Sequence, residues 1–197
     1  GMLSLKDIQK IFDSGKPVVW TMHDMWPCTG ICHHARDCEK YRKECHNCPF
    51  LYKGGGAKDL SHKVFLKKKK IYKDANITFV ACSKWLTSLA EKSVLLEGHK
   101  VINIPNPIST YVFHPDDKHT ARENCHLPQD KKLILFGSVK ISDKRKGIDY
   151  LIEACQKLVK LHPETMQEVE VVVFGNNSEQ LRERLPLPVR VLNFVND

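Results

Sequence analysis

The chain has 197 residues, of which 42% are hydrophobic, a content ordinary for a globular protein that buries a core and one that excludes bulk disorder. Lys and Arg number 31 against 23 Asp and Glu, a net charge of +8 with pI about 9.0. That excess favours an anionic partner: nucleic acid, a phosphorylated small molecule or an acidic lipid surface. No N-terminal stretch has the layout of a signal peptide, and no apolar run approaches the ~18 to 20 residues needed to span a bilayer, so a cytoplasmic protein is expected.

Strand and helix patterns alternate along the chain, as in parallel sheets with crossover helices. Leu3 to Phe12 has helical spacing, and Gly15-Lys16-Pro17 closes it before an apolar strand, Val18 to Met22, that delivers His23 and Asp24. Lys63 to Lys73 is helical, with Val64, Phe65, Ile71 and Tyr72 on one side. A strand over Ile77 to Cys82 follows, then Ser83 as the N-cap of a helix through Glu91. Val101 to Ile104 is a third strand, halted by Pro105-Asn106-Pro107. The polar stretch Ser109 to Asp130 reads as a connector with a short helix. A second series comprises a strand over Leu133 to Phe136 ending at Gly137, and a helix over Ile148 to Leu161 with Ile148, Leu151, Ile152, Cys155 and Leu158 inward. It continues with a strand over Val169 to Phe174 ending at Gly175 and another over Val189 to Phe194. Two α/β units result, 2–106 and 107–197.

Five of the eight cysteines lie between Cys28 and Cys48. Zinc takes four tetrahedral thiolate or imidazole ligands, and Cys45-x2-Cys48 has the short spacing that lets two sulfurs clasp one ion. Cys32 and Cys38 complete a four-sulfur set, with Cys28, His33, His34 and His46 as spare candidates. Structural zinc, disulfides or free thiols packing the loop, and another metal all remain open, whereas cysteine catalysis is disfavoured.

His23 follows its strand at the place where open α/β sheets present groups to ligands, suited to a sugar hydroxyl or a proton near neutral pH; the plainer reading is a loop histidine beside Asp24. Gly137-Ser138 and Asp143-Lys-Arg-Lys-Gly147 lie between a strand and a helix start, where backbone amides and basic side chains suit a diphosphate. A solvated basic loop is the alternative. Lys67 to Lys70 reads as a solvated helix face, with peripheral contact to anionic lipid as its second reading.

Taken in order, Lys16-Pro-Val-Val-Trp-Thr-Met-His-Asp-Met-Trp-Pro27 with the cysteines Cys32, Cys38, Cys45 and Cys48, then Ala81-Cys-Ser-Lys-Trp85, Ile104-Pro-Asn-Pro-Ile108 and Phe113-His-Pro115, form one group of motifs. Leu135-Phe-Gly137, Arg145-Lys-Gly-Ile148, Leu151-Ile-Glu-Ala154 and Val173-Phe-Gly175 form a second. Together they resemble bacterial family 4 glycosyltransferases, in the surface-polysaccharide subgroup with a cysteine-rich loop at 28–49. The resemblance implies an α/β, GT-B-like fold of two partial Rossmann-like lobes with parallel sheets. The first would be an acceptor-side lobe; the second would follow the hinge and bind donor.

It also implies retaining transfer of a sugar from a nucleotide-sugar to a glycan or lipid-linked acceptor, without a catalytic metal. By that resemblance His23 lies in the interlobe cleft near the donor sugar and Asn106 lies at the hinge. Gly137, Ser138, Arg145, Lys146 and Gly175 surround the donor, with Lys146 on its diphosphate. Ser138 stands where the family often has arginine, so Arg145 is expected to supply that charge. The family's glycine-rich acceptor loop and paired glutamates have no counterpart, and Asn193 replaces a usual glycine. An internal fragment or shortened relative with weak or no transferase activity is therefore expected. The competing readings are a zinc-bearing nucleic-acid- or protein-binding module and a noncatalytic remnant.

Overall fold

The computed structural model describes residues 3–52, 54–176 and 178–192. Contacts divide the chain between Phe113 and His114 into two compact units.

The first unit opens with α1 (Leu5–Asp13), started by a reciprocal cap: the Asp7 amide donates to the Ser4 hydroxyl at 3.3 Å and the Ser4 amide to the Asp7 carboxylate at 3.1 Å. β1 (Val18–Met22) leads into the cysteine loop, which contains short 3-10 turns at Trp26–Cys28 and Lys40–Arg42. Then come α2 (Leu60–Tyr72), β2 (Ile77–Ala81), α3 (Lys84–Ala90) and β3 (Lys100–Asn103). Ser83 caps α3 as expected, its hydroxyl accepting from the Leu86 amide at 3.2 Å.

The three strands are parallel in the order β1-β2-β3, with Val18 opposite Ile77 and Phe79 opposite Val101. β2 is central, and its near-continuous apolar sequence is buried as such strands require. β1 is an edge strand with Val19 68% exposed. On the core side Trp20 stacks on Phe79, with centroids 6.0 Å apart, and meets Tyr72 edge-on at 6.2 Å.

The second unit contains α4 (Lys118–Asn124), β4 (Lys132–Lys140), α5 (Ile148–Leu161), a single turn α6 (Thr165–Glu168), β5 (Val169–Asn176) and β6 (Val189–Val191). Its strands are parallel in the order β4-β5-β6. α5 has the bounds read from periodicity, with Ile148 and Cys155 buried and Leu151, Ile152 and Leu158 packed against the core. Asn193 and the end of the expected last strand lie outside the described residues.

β4 does not stop at Gly137. It runs on to Lys140 across a register irregularity, because the two glycines let the strands close up there. A side chain on Gly137 would strike the Phe174 ring, and one on Gly175, at φ +122°, would strike the Ser138 carbonyl. Two three-stranded parallel sheets with intervening helices are compatible with a Rossmann-like fold. Among the described residues no helix is long and apolar enough to cross a membrane.

Gly175→Ala combines an unfavourable φ with a backbone collision, so it is expected to destabilise the second unit by more than about 2 kcal/mol. A lowered urea midpoint by far-ultraviolet circular dichroism checks this.

Candidate functional site

In the first unit, β1 ends in a groove of about 560 Å³ whose lining includes Trp20, Met22, His23, Asp24, Trp26 and His33. His23 is exposed, and its imidazole makes no hydrogen bond or ion pair among the described residues. Asp24 is fully engaged: one carboxylate oxygen accepts from the Trp26 amide at 2.7 Å and the other pairs with His33 Nδ1 at 2.8 Å. The carboxylate therefore aims His33, not His23, and the groove presents one free and one oriented imidazole. The sequence offers His33 only as a spare metal ligand; its pairing joins residues nine apart through a loop that local pattern does not reveal.

The loop rests on Lys68. The sequence reading set Lys67 to Lys70 on a solvated face, but Lys68 is fully buried. Its ammonium donates to the carbonyls of Trp26 at 2.5 Å and Thr29 at 2.9 Å, and lies 3.4 Å from the centroid of the Trp26 ring. Burial pulls its pKa down to about 7, opposed by nearby Cys28, Cys45, Asp24 and Cys32. The signal was present: Lys68 lies three residues after buried Phe65 and four before buried Tyr72, on their face of α2.

All eight cysteines are free thiols. Cys28, Cys45 and Cys48 are buried, and Cys32 and Cys38 are partly buried. Among the described residues no group of three or more His, Cys, Asp or Glu side chains is placed to hold a metal ion. The loop is nevertheless tightly braced. The Gly30 amide donates to Cys45 Sγ at 3.3 Å, the Cys48 amide to Asp59 at 2.8 Å, and Lys40 Nζ to the carbonyls of His46 and Asn47 at 3.1 and 2.7 Å.

In the second unit, a basic 3-10 turn over Lys144–Lys146 links β4 to α5, with Gly147 at φ +82° between turn and helix. Arg145 is clamped by Asp143, Nε to one carboxylate oxygen at 3.0 Å and a terminal nitrogen to the other at 2.7 Å. Those hydrogen bonds hold the Asp143 carboxyl down to about 2. Lys146 is exposed and donates to no side chain among the described residues, although its charge also favours the Asp143 carboxylate.

Ser138 is buried, its hydroxyl donating to the Lys140 carbonyl at 3.1 Å. Gly137 and Gly175 occupy the close strand contact already described. Asn106 belongs to the first unit and is exposed in the irregular stretch after β3.

Comparison with known proteins adds one relative. An Escherichia coli (strain K12) protein, provisionally named colanic acid biosynthesis glycosyl transferase WcaC, is 29% identical over 79 residues, covering 36% of this chain and 20% of the relative. That match supports a glycosyltransferase relationship. The matched stretch is one fifth of the relative's length, and no protein-family model matches the chain.

Lys68→Met keeps the volume of the stem and strips two buried carbonyls of their donor, for an expected loss of about 2–4 kcal/mol. Urea unfolding read by tryptophan fluorescence measures it, since Trp20, Trp26 and Trp85 all lie in the first unit. The Asp143 carboxyl should titrate near 2 by carbon-13 NMR, and in Arg145→Gln it should return towards the ordinary 3.8. Because the folded value is the lower one, the stability linked to this group is complete above pH 3.8 and is lost as pH falls towards 2.

Proposed function

We propose that the chain carries sugar-transfer machinery of a retaining, family 4 glycosyltransferase with GT-B architecture. Its donor would be a nucleotide-sugar and its acceptor a glycan or lipid-linked sugar in cell-surface polysaccharide assembly. The observation that carries this reading is the sequence match to the colanic acid relative. Two parallel α/β units, each with polar groups just beyond a strand end, support it.

In the proposed chemistry the glycosidic bond to the donor diphosphate breaks through an oxocarbenium-like transition state, and negative charge grows on the leaving diphosphate. Fixed positive groups lower that barrier more than they stabilise the ground state, because the charge they meet is larger in the transition state. Lys146 supplies the larger share, since the guanidinium of Arg145 is already compensated by Asp143. Arg145 contributes chiefly by holding the turn's shape. Gly137, Ser138 and Gly175 set the strand ends beside that turn, the glycines by allowing close approach and Ser138 by its bond to the Lys140 carbonyl. In the first unit His23 and Asn106 are exposed, and their imidazole and amide are groups suited to a sugar hydroxyl. No catalytic metal is invoked.

Isothermal titration of the chain with uridine, guanosine, adenosine and thymidine diphosphates tests the donor site. One of them should bind at millimolar concentration or below, and Lys146→Ala should weaken it about tenfold. Heatless titrations across the panel at millimolar ligand would sink the reading.

A further inference from the structure

We propose that the outer face of α2 docks on an anionic lipid surface. The charge excess of the chain is not spread evenly along it. Residues 1–113 contain 18 Lys and Arg against 10 Asp and Glu, whereas residues 114–197 contain 13 of each, so the whole net charge of +8 belongs to the first unit. The basic turn over Lys144–Lys146 lies in the second unit, where it is balanced by acids. The excess on the first unit therefore points to a second anionic partner.

Six lysines of that unit come from one short stretch: Lys63, Lys67 to Lys70, and Lys73. Lys68 turns inward with Ser61, Phe65 and Tyr72. At about 3.6 residues per turn, the opposite side of the helix carries Lys63, Leu66, Lys67, Lys70 and Lys73, spaced i, i+3, i+4, i+7 and i+10, and all five are exposed. No Asp or Glu stands between Leu60 and Tyr72, and none of these four lysines forms an ion pair among the described residues. Asp59, at the helix start, is committed elsewhere, accepting from the Cys48 amide at 2.8 Å, the His62 amide at 3.0 Å and the Ser61 hydroxyl at 2.6 Å. Like charges one turn apart repel. The helix dipole favours lysines in the last turn, but it does not account for Lys63 near the N-terminal end. A surface of negative charge laid along the stripe offsets the repulsion.

The apolar residues on this side select lipid among the anions. Leu66, 44% exposed, stands in the middle of the stripe, and Leu60, 56% exposed, lies at the helix start. A polyanion in water leaves both wet, whereas a bilayer interface takes lysine ammoniums among its headgroups and leucine side chains at the acyl boundary. The stripe also carries no aromatic ring on which a base could stack. Docking rests on charge and helix geometry, not on the sugar-transfer reading, so the nucleotide titration can fail without it.

Cosedimentation of the whole chain with lipid vesicles tests the face. In about 0.1 M salt the chain should bind phosphatidylcholine vesicles containing about 30% phosphatidylglycerol, and bind pure phosphatidylcholine at least about tenfold more weakly. Each basic residue near such a surface is worth roughly fivefold in affinity, so Lys67→Gln combined with Lys70→Gln should lose about 25-fold. Lys118→Gln combined with Lys160→Gln removes the same charge from exposed positions of the second unit and should cost less than about twofold. Leu66→Ser should weaken vesicle binding severalfold. Far-ultraviolet circular dichroism checks that the variants fold, and the wild-type comparison of the two vesicle compositions decides the matter even if one does not. Equal binding to both compositions, no binding to either at millimolar lipid, or equal losses from the two lysine pairs overturns the proposal. Tighter binding to a DNA duplex than to the anionic vesicles, weakened by the α2 pair, overturns it in favour of nucleic acid.

Discussion

A single buried ammonium organises the first unit. Lys68 projects from α2 into the loop that leaves β1 and ties down two of its carbonyls while covering the Trp26 ring. Irregular backbone must find partners for its polar groups once water is excluded, and a lysine with three donors on a long stem can serve strands of chain that no ladder reaches. Everything chemically interesting in this unit hangs from that tether. The 3-10 turn it holds begins two residues after Asp24, whose carboxylate accepts from the Trp26 amide and orients His33. The same loop then runs into the cysteine-rich segment, which returns through Asp59 to the start of α2.

The second unit solves a different problem by a different means. Its basic turn is shaped by glycines and an ion pair instead of a buried charge. Gly137 and Gly175 let the ends of β4 and β5 approach, and the chain then turns through Lys144–Lys146 into α5. Within that turn the charges divide their labour. The Asp143 clamp fixes the fork of Arg145 in one orientation. Lys146 is exposed and donates to no side chain among the described residues.

Much of the architecture was legible because it rests on periodicity and punctuation. The bounds of α5 follow from its apolar stripe, the cap of α3 from Ser83, and the parallel sheets from strand patterns that alternate with helical ones. What escaped depends on placement in three dimensions that local pattern does not carry. Lys68 was set aside because four lysines in a row suggest solvent, although the spacing to Phe65 and Tyr72 put one of them on the core face. Gly137 looked like a strand end since glycine usually interrupts a strand; here it admits the ring of Phe174 from the neighbouring strand. The Asp143–Arg145 clamp needs a 3-10 turn to bring residues two apart into register, and nothing in a basic stretch announces that geometry.

The open edge of β1 bears on how this chain behaves in solution. Val19 stands largely in water at the end of a parallel sheet, with Leu3 and Ile11 also exposed and lining the adjoining groove. An apolar strand that has no strand on its outer side among the described residues offers amides and carbonyls that another chain can extend. Copies of the chain share a charge of +8 and so repel one another, but that repulsion reaches only about 10 Å at 0.1 M salt. Added salt screens that repulsion while leaving the edge untouched, which lowers the barrier to contact between copies.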